Sequence, residues 1–149
     1  MEVQPDFRDM LALLNNHGVE YVVVGAYALA HHGVPRNTGD IDIYIRPSQE
    51  NARRVVKVLG EFGFGSLGLA ESDFTQPNQV IQLGRPPVRI DLLTSISGVT
   101  WEEADRGKAP GAYGDVSISY LGRDQLKANK RAAGRTKDLA DLEALGEGA

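Results

Sequence analysis

The chain has 149 residues, no cysteine and a formal net charge of −4 at neutral pH. This length suits one domain with a buried core, and 42% hydrophobic with 24% charged residues is an ordinary globular balance. The acidic charge disfavours sequence-independent binding of bulk nucleic acid, and the lack of cysteine excludes disulfides and thiolate metal sites. Since there is neither a membrane-length apolar run nor a secretory signal pattern, we expect a cytoplasmic protein.

The spacing of apolar residues predicts alternating helices and strands. In chain order the sequence predicts a helix over 5–17, a strand over 20–24, a short helix over 26–32, a strand over 40–46, a helix over 48–62, strands over 79–83 and 88–94, a short helix over 101–105, a strand over 116–120, and helices over 122–132 and 136–146. Residues 63–78 are Gly-rich and polar and are predicted to form a loop. The pattern indicates an α/β (α+β) fold: a mixed central β-sheet flanked by helices, in one domain over 1–149 with a C-terminal helical portion over about 122–146.

Three aspartates form the main candidate site. Asp40 and Asp42 lie two apart in a predicted strand, so they share one face of it, and their like charges repel unless a cation lies between them. Asp91 lies in another, apolar strand, where a lone carboxylate is disfavoured. A third metal ligand that also serves as general base would explain it. Oxygen donors of this kind suit Mg²⁺ or Mn²⁺.

Simpler interpretations of these acids remain. A pair of aspartates two apart is more often a solvated strand edge or a turn, and Asp91 could be an edge-strand acid paired with Arg89 or Arg85. The same pair occurs in sugar-nucleotide glycosyltransferases, although those domains are usually much longer. The combination of all three acids after a strand–glycine–helix unit favours the metal site.

Basic residues concentrate near the C-terminus of the acidic chain. Between Arg123 and Lys137 the only acid is Asp124. The basic residues of this strip are Arg123, Lys127, Lys130, Arg131, Arg135 and Lys137. A local strip fits a phosphate-bearing ligand better than a long duplex, although it could equally be the solvated face of two helices.

Four motifs together resemble one known family. They are Val22-Val-Val-Gly-Ala26, Arg36-Asn-Thr-Gly-Asp-Ile-Asp42, the later Asp91, and Asn129-Lys-Arg-Ala-Ala-Gly-Arg-Thr-Lys-Asp-Leu-Ala-Asp141. Their order resembles the polymerase-β-like nucleotidyltransferase superfamily and, within it, small bacterial proteins related to AbiEii-type toxins. The resemblance spans about residues 20–145, and the motifs are specific only in combination.

The resemblance implies an enzyme of the EC 2.7.7 type with a nucleotidyltransferase fold. Such an enzyme transfers NMP from a nucleoside triphosphate to a hydroxyl of RNA, protein or a small molecule. It could serve as the toxin of a toxin–antitoxin or phage-defence system, with tRNA or protein as acceptor and a cognate antitoxin as partner. The nucleobase, the acceptor and the oligomeric state are left open by the sequence.

The resemblance also implies roles for individual residues. Asp40 and Asp42 would each hold Mg²⁺ (or Mn²⁺), and Asp91 would complete a two-metal site. The implied nucleotide-binding residues are Gly25, Ala26, Arg36, Thr38, Lys130 and Lys137. Asp138 and Asp141 would orient the basic groups or position the acceptor.

One position departs from the family pattern. Ala26 stands where the family usually has a second Gly or Ser. Alanine keeps the space but lacks a hydroxyl that could donate to a phosphate oxygen. The departure leaves open a non-catalytic alternative, a nucleotide-binding or antitoxin-like interaction module of the same fold.

Overall fold

A computed structural model describes residues 2–36, 38–85 and 87–146. Asn37 of the second motif and Pro86 of the predicted turn lie outside the described residues. The helices and strands are α1 (Pro5–Asn16), β1 (Tyr21–Val24), α2 (Gly25–His31), β2 (Asp40–Ile45), α3 (Gln49–Phe62), β3 (Val80–Arg85), β4 (Val88–Leu93), α4 (Trp101–Gly107), β5 (Ala109–Tyr113), β6 (Val116–Tyr120), α5 (Arg123–Ala133) and α6 (Thr136–Ala144). No helix in these ranges is long and apolar enough to cross a membrane.

The strands form one mixed sheet in the order β3-β4-β2-β1-β6-β5. β2 runs parallel to β4 and antiparallel to β1, while β1 runs parallel to β6. The outer strands β3 and β5 pair antiparallel with β4 and β6. This confirms the predicted mixed α/β architecture with helices flanking a central sheet. It also places β2, which carries two of the candidate aspartates, in the interior of the sheet.

The two faces of β2 have different surroundings. Ile41, Ile43 and Ile45 are fully buried in the main hydrophobic core. On the other face, the ring of Tyr44 packs edge-on against Trp101 of α4, with ring centroids 5.3 Å apart. The same face is only partly covered at its start, where Asp40 and Asp42 lie. The alternation therefore leaves the carboxylates accessible at one end of the strand.

Buried Asn51 fixes how β1 and β2 meet. Its side-chain oxygen accepts from the backbone N–H of Glu20, and its Nδ2 donates to the carbonyls of Glu20 and Arg46, at 2.8–3.0 Å. These bonds tie the start of β1 to the end of β2. The resulting register sets Val24, the last residue of β1, opposite Asp42.

Two segments differ from the sequence expectation. Residues 63–78, predicted as a loop, contain two short 3-10 turns, Gly65–Leu67 and Glu71–Phe74, held down by fully buried Phe74. The strand β5 was not predicted, because its Ala-Pro-Gly-Ala-Tyr sequence has low strand propensity. It forms nonetheless because every one of its residues pairs with β6.

Candidate active site

The three aspartates come together on neighbouring strands. Asp42 on β2 is the register partner of Asp91 on β4, and Asp40 is the partner of Arg89. Burial, the charges of Asp91 and Asp40, and a side-chain interaction with Asp91, in that order, raise the pKa of Asp42 to about 6. The site therefore concentrates more negative charge than its burial tolerates.

Arg89 bridges the carboxylates. Its Nε donates to Asp91 Oδ1 at 3.0 Å, and its Nη2 donates to Asp91 Oδ2 at 3.1 Å and to Asp40 Oδ2 at 2.7 Å. Hydrogen bonding to Asp91 raises the pKa of this guanidinium further. Because β4 is flanked by β3 and β2, Asp91 is an interior carboxylate rather than an edge-strand acid, although its pairing with Arg89 is real.

The part of the chain that the structure describes contains no preformed cage for a metal ion. Across residues 2–36, 38–85 and 87–146, no group of three or more His, Asp or Glu side chains is arranged as one. In its place the Arg89 cation spans Asp40 and Asp91. The guanidinium offsets the negative charge of these carboxylates with one positive charge, whereas a divalent ion would offset it with two.

Gly25 is required where α2 begins. Its φ of +66° lies in the left-handed region, and a Cβ atom there would collide with Asp42 Oδ2. Gly39, just before β2, is also tightly confined, since its Cβ would lie 2.7 Å from the carbonyl oxygen of Pro87. Both glycines allow backbone to pass close to the strand that carries the carboxylates.

A cleft of about 540 Å³ opens beside this turn. Three of the predicted nucleotide-binding residues, Ala26, Arg36 and Thr38, line it, together with Gly39 and the N-terminal residues 2–5. Thr38 also braces β2, because its hydroxyl accepts from the backbone N–H of Asp40 at 3.1 Å. The three aspartates are not among the lining residues of this cleft.

The predicted C-terminal basic residues fall into different environments. Lys130 is buried, with its Nζ 3.4 Å from Asp138 Oδ1 and 3.3 Å from Asp141 Oδ2. Burial lowers the pKa of Lys130. Arg135 donates to Asp138, whose pKa falls to about 2 mainly because of that bond. Lys137 is exposed.

Arg36 connects this cluster to the cleft by forming an ion pair with buried Asp141. The sequence offers no signal for the contact, because the two residues lie far apart in the chain and neither position has a distinctive spacing to the other. From the sequence, Arg89 could be proposed only as a partner of Asp91. Its link to Asp40 depends on the parallel pairing of β2 with β4, which the sequence does not specify.

Comparisons with known proteins identify the fold. No family model and no curated protein matches the chain. A Thermotoga maritima structure provisionally assigned as a nucleotidyltransferase matches with a TM-score of 0.61 and 17% identity, over 98% of this chain and 94% of that one. A lincosamide antibiotic adenylyltransferase, bound to lincomycin, matches with a TM-score of 0.54 and 14% identity, over 96% of each chain.

A third solved structure agrees with the first two. It is an antigenic nucleotidyltransferase-like protein from Paracoccidioides brasiliensis, with a TM-score of 0.52 and 15% identity, over 93% of this chain and 73% of that one. Identities this low carry information on architecture alone. The chain therefore has the nucleotidyltransferase fold.

Proposed function

We propose that this chain is a divalent-metal-dependent nucleotidyltransferase, which transfers NMP from a nucleoside triphosphate to an acceptor hydroxyl. The observation that carries the proposal is the pairing of Asp42 with Asp91 across two parallel strands, with a glycine turn pressed against Asp42. A purely structural role does not explain why two carboxylates lie together in a place where the pKa of Asp42 is raised to about 6.

The donor chemistry of the site fits Mg²⁺ or Mn²⁺. Asp40, Asp42 and Asp91 supply only carboxylate oxygens, and the charges of Asp91 and Asp40 add to the effect of burial in raising the pKa of Asp42. These three would hold the metal, with Arg89 yielding part of its contact to Asp40 and Asp91. When bound, a divalent ion would lower the pKa of the acceptor hydroxyl and offset the charge of the leaving pyrophosphate.

During the transfer, one residue of this chain would accept the proton of the acceptor hydroxyl. The acceptor oxygen forms a bond to the α-phosphorus, while the bond from that phosphorus to the bridging oxygen breaks and pyrophosphate leaves with the electron pair. We assign the hydroxyl proton to a carboxylate oxygen of Asp91. Arg89 holds both oxygens of Asp91, which keeps the carboxylate in a fixed orientation in register with Asp42.

The phosphates would be bound at the edge of the cleft. Gly25 and Ala26 present backbone with little side-chain bulk, and Thr38 and Arg36 line the adjoining wall. Exposed Lys137 and buried Lys130 add positive charge from the C-terminal helices. Positive groups placed here would offset the charge that grows on the phosphate oxygens during transfer.

The acceptor is proposed only as a class: a hydroxyl of RNA, such as tRNA, of a protein or of a small molecule. The lincomycin-bound adenylyltransferase among the similar structures supports the small-molecule case for this fold. The AbiEii-like motifs support a toxin of a toxin–antitoxin or phage-defence system, with a cognate antitoxin as partner. Growth arrest on induced expression, relieved by Asp42→Asn, would support that role.

Label transfer tests the enzymatic activity. The purified chain is incubated with each α-³²P-labelled nucleoside triphosphate, Mg²⁺ and either cell extract or a panel of hydroxyl-bearing antibiotics. We expect label on RNA, protein or a small molecule, its loss in EDTA, and its loss in Asp42→Asn. Asp105→Asn, on α4 and paired with Lys108, is the matched control that should retain activity. Undiminished transfer by Asp42→Asn would contradict the proposal.

A non-catalytic nucleotide-binding or interaction module is the second candidate. Two observations favour it: Ala26 lacks a hydroxyl, and Arg89 already compensates Asp40 and Asp91 without a metal. This candidate predicts nucleoside triphosphate binding with no label transfer under any acceptor condition. Restoring the hydroxyl with Ala26→Ser would then strengthen binding without producing transfer.

A further inference from the structure

Asp141 is a buried carboxylate that pairs with two cations. It lies in α6, and its side chain is fully buried. Neither of its oxygens has a hydrogen-bond partner among the described residues, and its charge is met by ion pairs with Lys130 and Arg36. Because a buried charge is costly unless it is paired, Asp141 constrains where these two cations can lie.

Arg36 is the cation of this pair that reaches the cleft. Its side chain is 39% exposed, and it lines the cleft beside Ala26 and Thr38. A guanidinium has five N–H donors in a rigid plane, and Asp141 meets Arg36 at Nη2. Other donors of the same group can therefore face the cleft while Asp141 fixes the plane from behind.

The charges of the cluster favour an anionic ligand. Lys130, Arg36 and Arg135 are cationic, whereas Asp138 and Asp141 are anionic, so these five side chains carry one excess positive charge. Exposed Lys137 follows on the same helix and adds to it. A phosphate group in the cleft would supply the balancing charge.

We propose that Asp141 is the positioning residue that holds Arg36 for the phosphates of the nucleotide. The inference rests on the proposed function, because it requires a nucleoside triphosphate in the cleft. Asp138 does not share the role. It pairs with Lys130 and Arg135, and among the described residues no ion pair joins it to Arg36. Both buried aspartates pair with Lys130 of α5, but Asp141 also pairs with Arg36, which lines the cleft.

Nucleotide binding by single variants tests the role of Asp141. Binding of the four α,β-methylene nucleoside triphosphates with Mg²⁺, which cannot transfer NMP, is measured by calorimetry. We expect Asp141→Asn to weaken the binding of the preferred analogue about tenfold, the loss of one charge-assisted contact. Asp105→Asn, which removes the exposed partner of Lys108 on α4, should change it by no more than about twofold. In an Arg36→Gln background, Asp141→Asn should have no further effect on affinity. Urea unfolding of each variant confirms that it is folded.

A second variant leaves Asp141 unchanged. A lysine at position 36 keeps the positive charge, but its single ammonium cannot contact Asp141 and a phosphate with a fixed plane. Arg36→Lys should therefore lose nearly as much affinity as Arg36→Gln. Affinity retained by Arg36→Lys, or full affinity in Asp141→Asn, would overturn the positioning role.

Failure of the proposed function gives a different result. If the native chain binds none of the four analogues, both the function and the positioning role are overturned. The Arg36–Asp141 contact can be measured independently, as non-additive losses of urea stability in the single and double variants. A coupled pair with normal binding in every variant would overturn the positioning role alone.

Discussion

At Asp42, stability and the proposed function are opposed. Its pKa rises from 3.8 to about 6 because it is buried and lies beside Asp91 and Asp40. A carboxylate whose pKa is raised by folding contributes stability below its unfolded pKa and loses that contribution as the pH rises through its folded value. At neutral pH the ionised Asp42 is therefore destabilising in the metal-free chain.

We predict that Asp42→Asn flattens the pH profile of stability. Without divalent ions, the free energy of unfolding of the native chain should fall relative to the variant by up to about 3 kcal/mol between pH 4 and pH 7. Urea denaturation in EDTA at several pH values measures the difference between the two profiles. Parallel profiles would show that Asp42 is not strained by burial and its neighbours.

Arg89 has the opposite effect on the same cluster. It donates to Asp91 twice and to Asp40 once. We predict that Arg89→Met lowers the free energy of unfolding of the metal-free chain, because two carboxylates lose charged donors. The rise in melting temperature on adding Mg²⁺ should be larger in the variant, because no resident cation then competes for the carboxylates.

Arg85→Met is the control for this prediction. Arg85 is an exposed residue at the end of β3, on the same hairpin as Arg89. Its removal should change neither the metal-free stability nor the response to Mg²⁺. If the two variants respond alike to Mg²⁺, Arg89 does not occupy the place of a metal ion.

At the scale of elements, the junction of β1 and α2 determines how close the backbone comes to Asp42. Gly25 has φ +66° and no room for a Cβ beside Asp42 Oδ2, whereas Gly33 has φ +94° and open space around it. Both positions carry backbone strain when substituted, but only Gly25 adds a clash. Their comparison separates the two effects.

We predict that Gly25→Ala destabilises the chain more than Gly33→Ala. The control should show only the left-handed backbone cost, about 1–2 kcal/mol. In an Asp42→Ala background, which removes the colliding oxygen, the two substitutions should cost about the same. Thermal and urea unfolding of the four variants measures this. Equal costs in the native background would mean that Asp42 does not press on the turn.

Most elements were predictable because their patterns are local. The helices around Leu11 and Val55, the strand β1 and the alternating Asp40–Ile45 lie within a few residues of the predicted bounds, since burial of one face produces the pattern. The strand β5 was missed because it depends on its partner β6 and not on its own propensity. Sheet order, and with it the pairing of Asp42 with Asp91, depends on contacts between distant segments.

The same limit applies to the candidate site. The three aspartates and the glycine could be proposed from their spacing, and the structure brings Asp42, Asp91 and Gly25 into contact or register. The roles of Lys130 and Arg36 could be proposed only as basic charge. Lys130 is buried, and Arg36 connects α6 to the cleft. Both facts depend on how the C-terminal helices pack, which no local sequence pattern specifies.

For the whole molecule, the C-terminal helices fasten to the rest through buried charge. Lys130 on α5 forms ion pairs with Asp138 and Asp141 of α6, and Asp141 also forms an ion pair with Arg36, which precedes β2. Removing one partner from a buried pair leaves an uncompensated charge, which is strongly destabilising. The docking of α6 should therefore depend on the ionisation of these aspartates more than on apolar contact.

The last prediction follows from Asp138. Its pKa is lowered to about 2 by Arg135, so its contribution to stability is present above 3.8 and is lost as the pH falls through about 2. We predict that, between pH 4 and pH 2, the free energy of unfolding of the native chain falls by about 2 kcal/mol more than that of Asp138→Asn. Over the same range, α6 of the native chain should become susceptible to pepsin.

Asp115 provides the matched control, because Arg8 lowers its pKa to about 2 as well, while its side chain is 71% exposed. Salt screens exposed pairs far more than buried ones, so in about 0.5 M NaCl the effect of Asp138→Asn should persist and that of Asp115→Asn should be negligible. Equal salt sensitivity of the two variants would mean that α6 is not held by a buried charge cluster. Pepsin cleavage within α6 of the native chain at pH 4 would likewise mean that no buried charge cluster holds this helix.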